Sequence, residues 1–256
     1  MTAHTALAVT AALVGLAFSF STYERWLARR RRNELAWSLA LGLFSLAAFA
    51  LAAGSAIGWS QATFRTFYLV GAIANVPVLA LGTIYLLAGE RRGDWAAVVV
   101  VVFTVFAAGV MAVVPFTHAV PRDTLAQGSD VLPVLPRVLA GVGSGGATMV
   151  IIGGALYSAW RFRRGRMLWS NLLIASGAGI LAGSGILNSV FDEITGFVVS
   201  LALGITVLFA GFLVASTASR VEPKRRLEAL PTPETLPAER GAGASQPGPS
   251  AATRQR

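Results

Sequence analysis

The chain has 256 residues, 55% of them hydrophobic and 13% charged, where a soluble domain carries roughly a quarter charged residues. That deficit excludes a soluble globule, and the absence of cysteine excludes disulfide frameworks, thiolate chemistry and Cys-ligated metals. The net charge of +9 alone points to nucleic acid, but the basic residues sit where membrane topology demands them, so no nucleic-acid partner is expected.

The apolar residues fall into seven blocks at about 5–22, 35–57, 66–88, 95–115, 138–160, 168–188 and 195–217. Each is long enough to cross a hydrocarbon core of about 30 Å as a helix. The sequence therefore predicts an all-α membrane protein, a seven-transmembrane-helix bundle over residues 1–217, embedded in the lipid bilayer of the plasma membrane. The first block opens MTAHTALAVT without the basic segment of a signal peptide, so it is expected to stay as an anchor.

The connections after blocks one, three and five hold Arg25, Arg29, Arg30, Arg31, Arg32, then Arg91 and Arg92, then Arg161, Arg163, Arg164 and Arg166. The alternate connections hold only Arg65, Arg122 and Arg137. By the positive-inside rule the N-terminus is outside and the C-terminus cytoplasmic. Trp26, Trp37, Trp59, Trp95, Trp160 and Trp169 all fall near block ends, where the indole prefers the headgroup level. Residues 218–256 are rich in Pro, Ala, Gly, Ser and Arg and read as a disordered basic cytoplasmic tail. Its Arg220, Lys224, Arg225 and Arg226 attract anionic lipid at about 1 kcal/mol each.

An internal match relates the first and fifth blocks. Tyr23, Trp26, Arg29, Arg30 and Arg32 align with Tyr157, Trp160, Arg163, Arg164 and Arg166, and Trp37-Ser38 with Trp169-Ser170 after a short gap. Blocks 1–3 and 5–7 then form a 3+1+3 parallel repeat with block 4 as connector. This plan is similar to that of the small sugar transporters, and seven helices with an outside N-terminus resemble the rhodopsins. Neither likeness carries sites. The sugar-transporter pattern has prolines at matching positions of both halves, whereas Pro77 has no counterpart in block seven. The Schiff-base lysine of retinal proteins is missing, since the sole lysine is Lys224 in the tail. The stretch FRTFYLVGAIANVPVLALGTIYLLAG, with the YERW-to-AWS segment before it, resembles uncharacterised bacterial seven-helix integral membrane proteins. That resemblance implies a plasma-membrane location and no mechanism.

No block contains Asp, Glu, Lys, Arg or His, so an ion path, proton relay or voltage sensor has no charged carrier. His4 and His118 are the only histidines, which removes haem and metal cofactors with their usual ligands. Gly143-Ser144-Gly145 and Gly183-Ser184-Gly185 resemble the motifs of intramembrane serine proteases, but no embedded base accompanies them. No catalytic, cofactor or metal residue is therefore assigned, and an enzyme is the least supported class.

What remains is packing and polarity. Gly179 and Gly183 form a small-xxx-small step in block six, and Gly145 and Gly153 belong to a glycine-rich block five, as in closely packed membrane helices. Pro77 lacks an N–H and displaces the Ile73 carbonyl, leaving an acceptor in need of a partner. Asn75 lies beside it on a stripe with Gly71, Val78 and Gly82. Thr148, Ser176, Ser184 and Asn188 are the further polar groups available to an intramembrane site. Together they fit either recognition of a small neutral or amphipathic, lipid-like molecule or interhelical bonding in a non-enzymatic sensor, scaffold or subunit that packs on other membrane proteins. Outside, FTHAVPRDTLAQGSDVLPVLP is longer than its neighbours, as lids and binding segments often are. His118, Asp123, Asp130, Asp192 and Glu193 share that side without a diagnostic metal spacing.

Overall fold

A computed structural model of the protein describes residues 3–161 and, beyond them, 169, 172–174, 176, 177, 179–181, 196–208, 210, 211 and 214. Ser184, Asn188, Gly183, Arg163, Arg164, Arg166, Asp192, Glu193 and the tail 218–256 lie outside the described residues. Every regular element among the described residues is a helix. α1 (Ala3–Arg29) and α2 (Arg32–Ile57) form a hairpin, and α3 (Gln61–Ala88) is joined to α4 (Glu90–Val113) by Gly89 alone. α5 runs through Val134–Ala140, Gly141–Gly145 and Gly146–Arg161. Among the described residues, five helices are long and apolar enough to cross a membrane, and two shorter apolar helices follow, α6 (Leu172–Leu181) and α7 (Gly196–Leu208). This is the helical pattern of a polytopic membrane protein.

The helix ends have local causes. Arg30 enters the left-handed region at φ 53°, and its N–H closes on the Trp26 carbonyl at 2.6 Å. Its guanidinium lies 5.1 Å from the centre of the Trp26 ring, a cation–π contact that holds the turn. Gly58 and Gly89 supply the other reversals at φ 92° and 82°, which only glycine adopts without strain. α3 opens on Ser60, whose hydroxyl accepts the Thr63 N–H at 3.1 Å, an N-cap.

The helices overshoot the apolar blocks. α1 continues to Arg29, α3 begins at Gln61 and α5 at Val134, because a helix keeps its hydrogen bonds through the interface where charges are tolerated. Glu34, just outside the second block, consequently lies in the first turn of α2 and is buried. Trp59 is only 3% exposed, over Gly54 and against Phe64 and Phe67, and Trp37 packs on Gly82. These two indoles fill gaps above glycines, whereas Trp95, Trp160 and Trp169 are exposed, as an interfacial position requires.

α2 sits at the centre and α4 at the edge: 56% of the apolar window of α2 is buried inside the protein, against 11% for α4. α1 grips α2 through a reciprocal pair, Ser19 hydroxyl to Ser38 carbonyl at 2.8 Å and Ser38 hydroxyl to Ser19 carbonyl at 2.9 Å. The small stripe of α3 lies on α2, with a Cβ at Gly71 placed 3.1 Å from that of Ala47 and Gly82 beneath Trp37. The first and fifth blocks, whose ends align in sequence, differ in the structure: α1 is uninterrupted while α5 contains the wide turn Gly141–Gly145.

Candidate functional site

Pro77 organises the middle of α3. The helix accommodates it by widening beforehand: Tyr68–Ala74 is π-helical, and the Asn75 N–H reaches the Val70 carbonyl five residues back. A wide turn exposes backbone acceptors, and the Ala72 carbonyl is met by the Ser144 hydroxyl of α5 at 2.5 Å. Ser144 lies in a second π-helical turn, Gly141–Gly145. The two turns meet because Gly143 lacks a side chain; a Cβ there would come within 2.8 Å of the Phe103 ring and 3.2 Å of the Ile73 carbonyl oxygen. The acceptor expected at Ile73 thus appears one residue earlier, with Ser144 as its partner.

Beside this contact lies a cavity of about 790 Å³, walled by α2, α3 and α5, with Leu181 of α6 and Phe197 and Leu201 of α7 also on its surface. Its size is within the roughly 300–1,000 Å³ of small-molecule sites. Residues 126–129 of the long connection border it at one end. That connection folds onto the bundle: Leu125, Ala126, Val131 and Leu132 are buried, the Trp59 N–H bonds the Arg122 carbonyl at 2.9 Å, and the Thr117 N–H bonds the Val131 carbonyl at 3.0 Å.

The chemistry of the lining changes along the helices. Tyr68, Gln127, Ser129 and Arg137 occupy the loop end, Asn75 and Thr148 come deeper, and Phe44, Leu79 and Ile151 deepest. The Asn75 amide and the Thr148 hydroxyl have no hydrogen-bond partner among the described residues and both face the cavity. Polar groups in such a place require water or a ligand.

Of the residues singled out from the sequence, Asn75, Thr148 and Gly145 line the cavity, and Pro77 is buried in the wall of α3. Ser176 is exposed on α6 and is not a lining residue. No described atom lies within 4 Å of a Cβ built on Gly145, Gly153 or Gly179; the close approaches fall on Gly143, on Gly154 against Thr83 and Leu87, and on Gly177 against Leu208. Neighbouring glycines point in directions about 100° apart, so a glycine-rich run shows that a helix packs closely without showing on which residue. The Ser144 hydroxyl is engaged by a carbonyl and serves packing. His118 faces the Asp130 backbone carbonyl through Nδ1 at 2.7 Å, and no cluster of three metal-ligating side chains occurs among the described residues.

Arg137 and Tyr68 went unread in the sequence as site residues. Arg137 precedes the fifth apolar block and counts there as a loop charge. The available signal was Pro133, which stands as the N-cap residue of α5; proline at a helix start puts Arg137 one turn inside. No family model, curated protein or solved structure matches this chain.

Proposed function

We propose that the chain is a seven-helix protein of the plasma membrane, N-terminus outside and C-terminus cytoplasmic, that binds or transports a small lipid-like molecule in the cavity between α2, α3 and α5. The observation that carries this reading is the Asn75 amide facing a cavity of about 790 Å³ with no protein partner among the described residues. The positive-inside asymmetry supports the orientation, and the Tyr/Trp/Arg match supports a parallel duplication of the outer helices. A second reading, a subunit or scaffold, draws support from Gly153, which stands open on α5 outside the cavity lining, as small residues do where a partner helix packs.

The test uses a monoacylglycerol with a photoactivatable diazirine in its acyl chain, added to the full chain in phosphatidylcholine vesicles. Labelling of segments 68–79 and 137–151 is expected, and Asn75→Leu should remove most of it while changing the melting temperature little, since an interhelical hydrogen bond averages only about 0.6 kcal/mol. Labelling confined to the lipid-facing surface of α4 overturns the cavity reading. A destabilised Asn75→Leu with undiminished labelling assigns Asn75 to packing.

A further inference from the structure

Arg137 adds a charge to this cavity. Arg137 lines the cavity at the loop end, and the one ion pair among the described residues is Arg32 with Asp94, formed by residues of α2 and α4 on the arginine-rich side. Arg65, the other arginine of the loop end within a helix, is engaged by the Met111 and Val114 carbonyls. Asp130 is tied to the Ser129 hydroxyl at 3.1 Å and is not a lining residue. Among the described residues Arg137 therefore borders a largely apolar hollow with no counter-charge, and a charge-assisted hydrogen bond to an anion is the strongest contact its guanidinium can make there.

The rest of the end is built to match. Tyr68 lies within electrostatic reach of Arg137, and its hydroxyl has no hydrogen-bond partner among the described residues. Gly128 makes room for it, since a Cβ there would fall 2.6 Å from the Tyr68 ring. Further along α3, past the π-helical segment, comes Asn75, with Thr148 on the facing helix, and beyond them the wall is apolar. Anion binder, hydrogen-bonding zone and apolar floor thus follow one another in order.

Building on the cavity reading above, we infer that the ligand is a single-chain amphiphile with an anionic head. A phosphate or carboxylate meets the Arg137 guanidinium fork and the Tyr68 hydroxyl. An ester or hydroxyl meets Asn75 and Thr148, and the acyl chain follows Leu79 and Ile151. A lysophosphatidate has this sequence of groups.

The experiment compares photoactivatable lysophosphatidate with the monoacylglycerol of the same diazirine-bearing chain, so that the two probes differ only in the phosphate. With the full chain in phosphatidylcholine vesicles, lysophosphatidate should label segments 68–79 and 137–151 about tenfold more strongly, the scale of a charge-assisted hydrogen bond. Arg137→Gln should bring the two probes to parity and Arg137→Lys should keep part of the preference; Arg137 is exposed, so both variants should melt as the wild type does. Excess inorganic phosphate should not compete. Equal labelling of the wild type by both probes, or a preference unchanged in Arg137→Gln, overturns the anionic head and leaves the lipid-binding cavity standing. Displacement by inorganic phosphate assigns the site to free phosphate and overturns the lipid. Absence of labelling by either probe overturns the cavity reading and this inference together.

Discussion

Arg65 is the charged residue at the start of α3, and its guanidinium donates to the carbonyls of Met111 and, at 2.7 Å, Val114. Phe116 supports it from below at 4.6 Å. The side chain therefore caps the C-terminus of α4, where terminal carbonyls lack intrahelical partners and the helix dipole favours a cation. Arg65→Ala is expected to lower the unfolding free energy by about 1–2 kcal/mol, read by thermal melting in neutral detergent. Arg65→Lys, which keeps the charge and loses the fork, should fall between. A melting temperature unchanged in Arg65→Ala would show that the α4 terminus is not coupled to the fold. At this scale the sequence was informative where cost is intrinsic: an amide beside a proline in an apolar run marks Asn75 whatever its neighbours are. It was silent on Arg65 and Arg137, because an arginine near an apolar boundary has the same sequence signature as a topology signal, a helix cap or a ligand anchor.

The paired wide turns of α3 and α5 show how elements depend on one another. Pro77 deprives α3 of a donor, α3 widens over Tyr68–Ala74, and the Ala72 carbonyl turns to Ser144, which α5 can bring close only because Gly143 is bare. Ser144→Ala should cost about 0.6 kcal/mol, the average for an interhelical hydrogen bond in a membrane. Gly143→Val should cost more, about 1–3 kcal/mol as in overpacked cores, because the Ile73 carbonyl is backbone and cannot swing aside. Equal, negligible effects in reversible unfolding would mean that the two turns are independent. The seven apolar blocks made the long helices legible, and the proline made a disturbance in α3 legible. The π-helical geometry was not, since nothing in local composition says whether a helix answers a missing donor by bending or by widening. The partner segment Gly141–Gly145 contains no proline at all.

On the scale of the whole molecule, the arginine-rich end is held together weakly. Arg32 pairs with Asp94, and the Tyr85 hydroxyl donates to Asp94 at 2.9 Å, but both ion-pair partners are about half exposed, with side-chain exposures of 48% and 49%. Such exposed pairs contribute little to stability. The hydrophobic contacts of α1, α2 and α3 below them do not depend on that charge. On the topology proposed above, the concentration of arginine in the connections after α1, α3 and α5 has its physical use in orientation, through retention of cations on the cytoplasmic side. Reporter fusions at Glu90 and Arg166 should read cytoplasmic and a fusion at Gln127 external. Replacing Arg29, Arg30, Arg31 and Arg32 together by Gln should yield mixed orientations in those reporters, while the correctly oriented fraction melts within a few degrees of the wild type, since only a solvent-exposed ion pair is lost. A cytoplasmic reading at Gln127 in the wild type would reverse the topology and put the Arg137 end of the cavity on the inner face. A large fall in melting temperature without any change of orientation would instead make the arginine cluster a structural element.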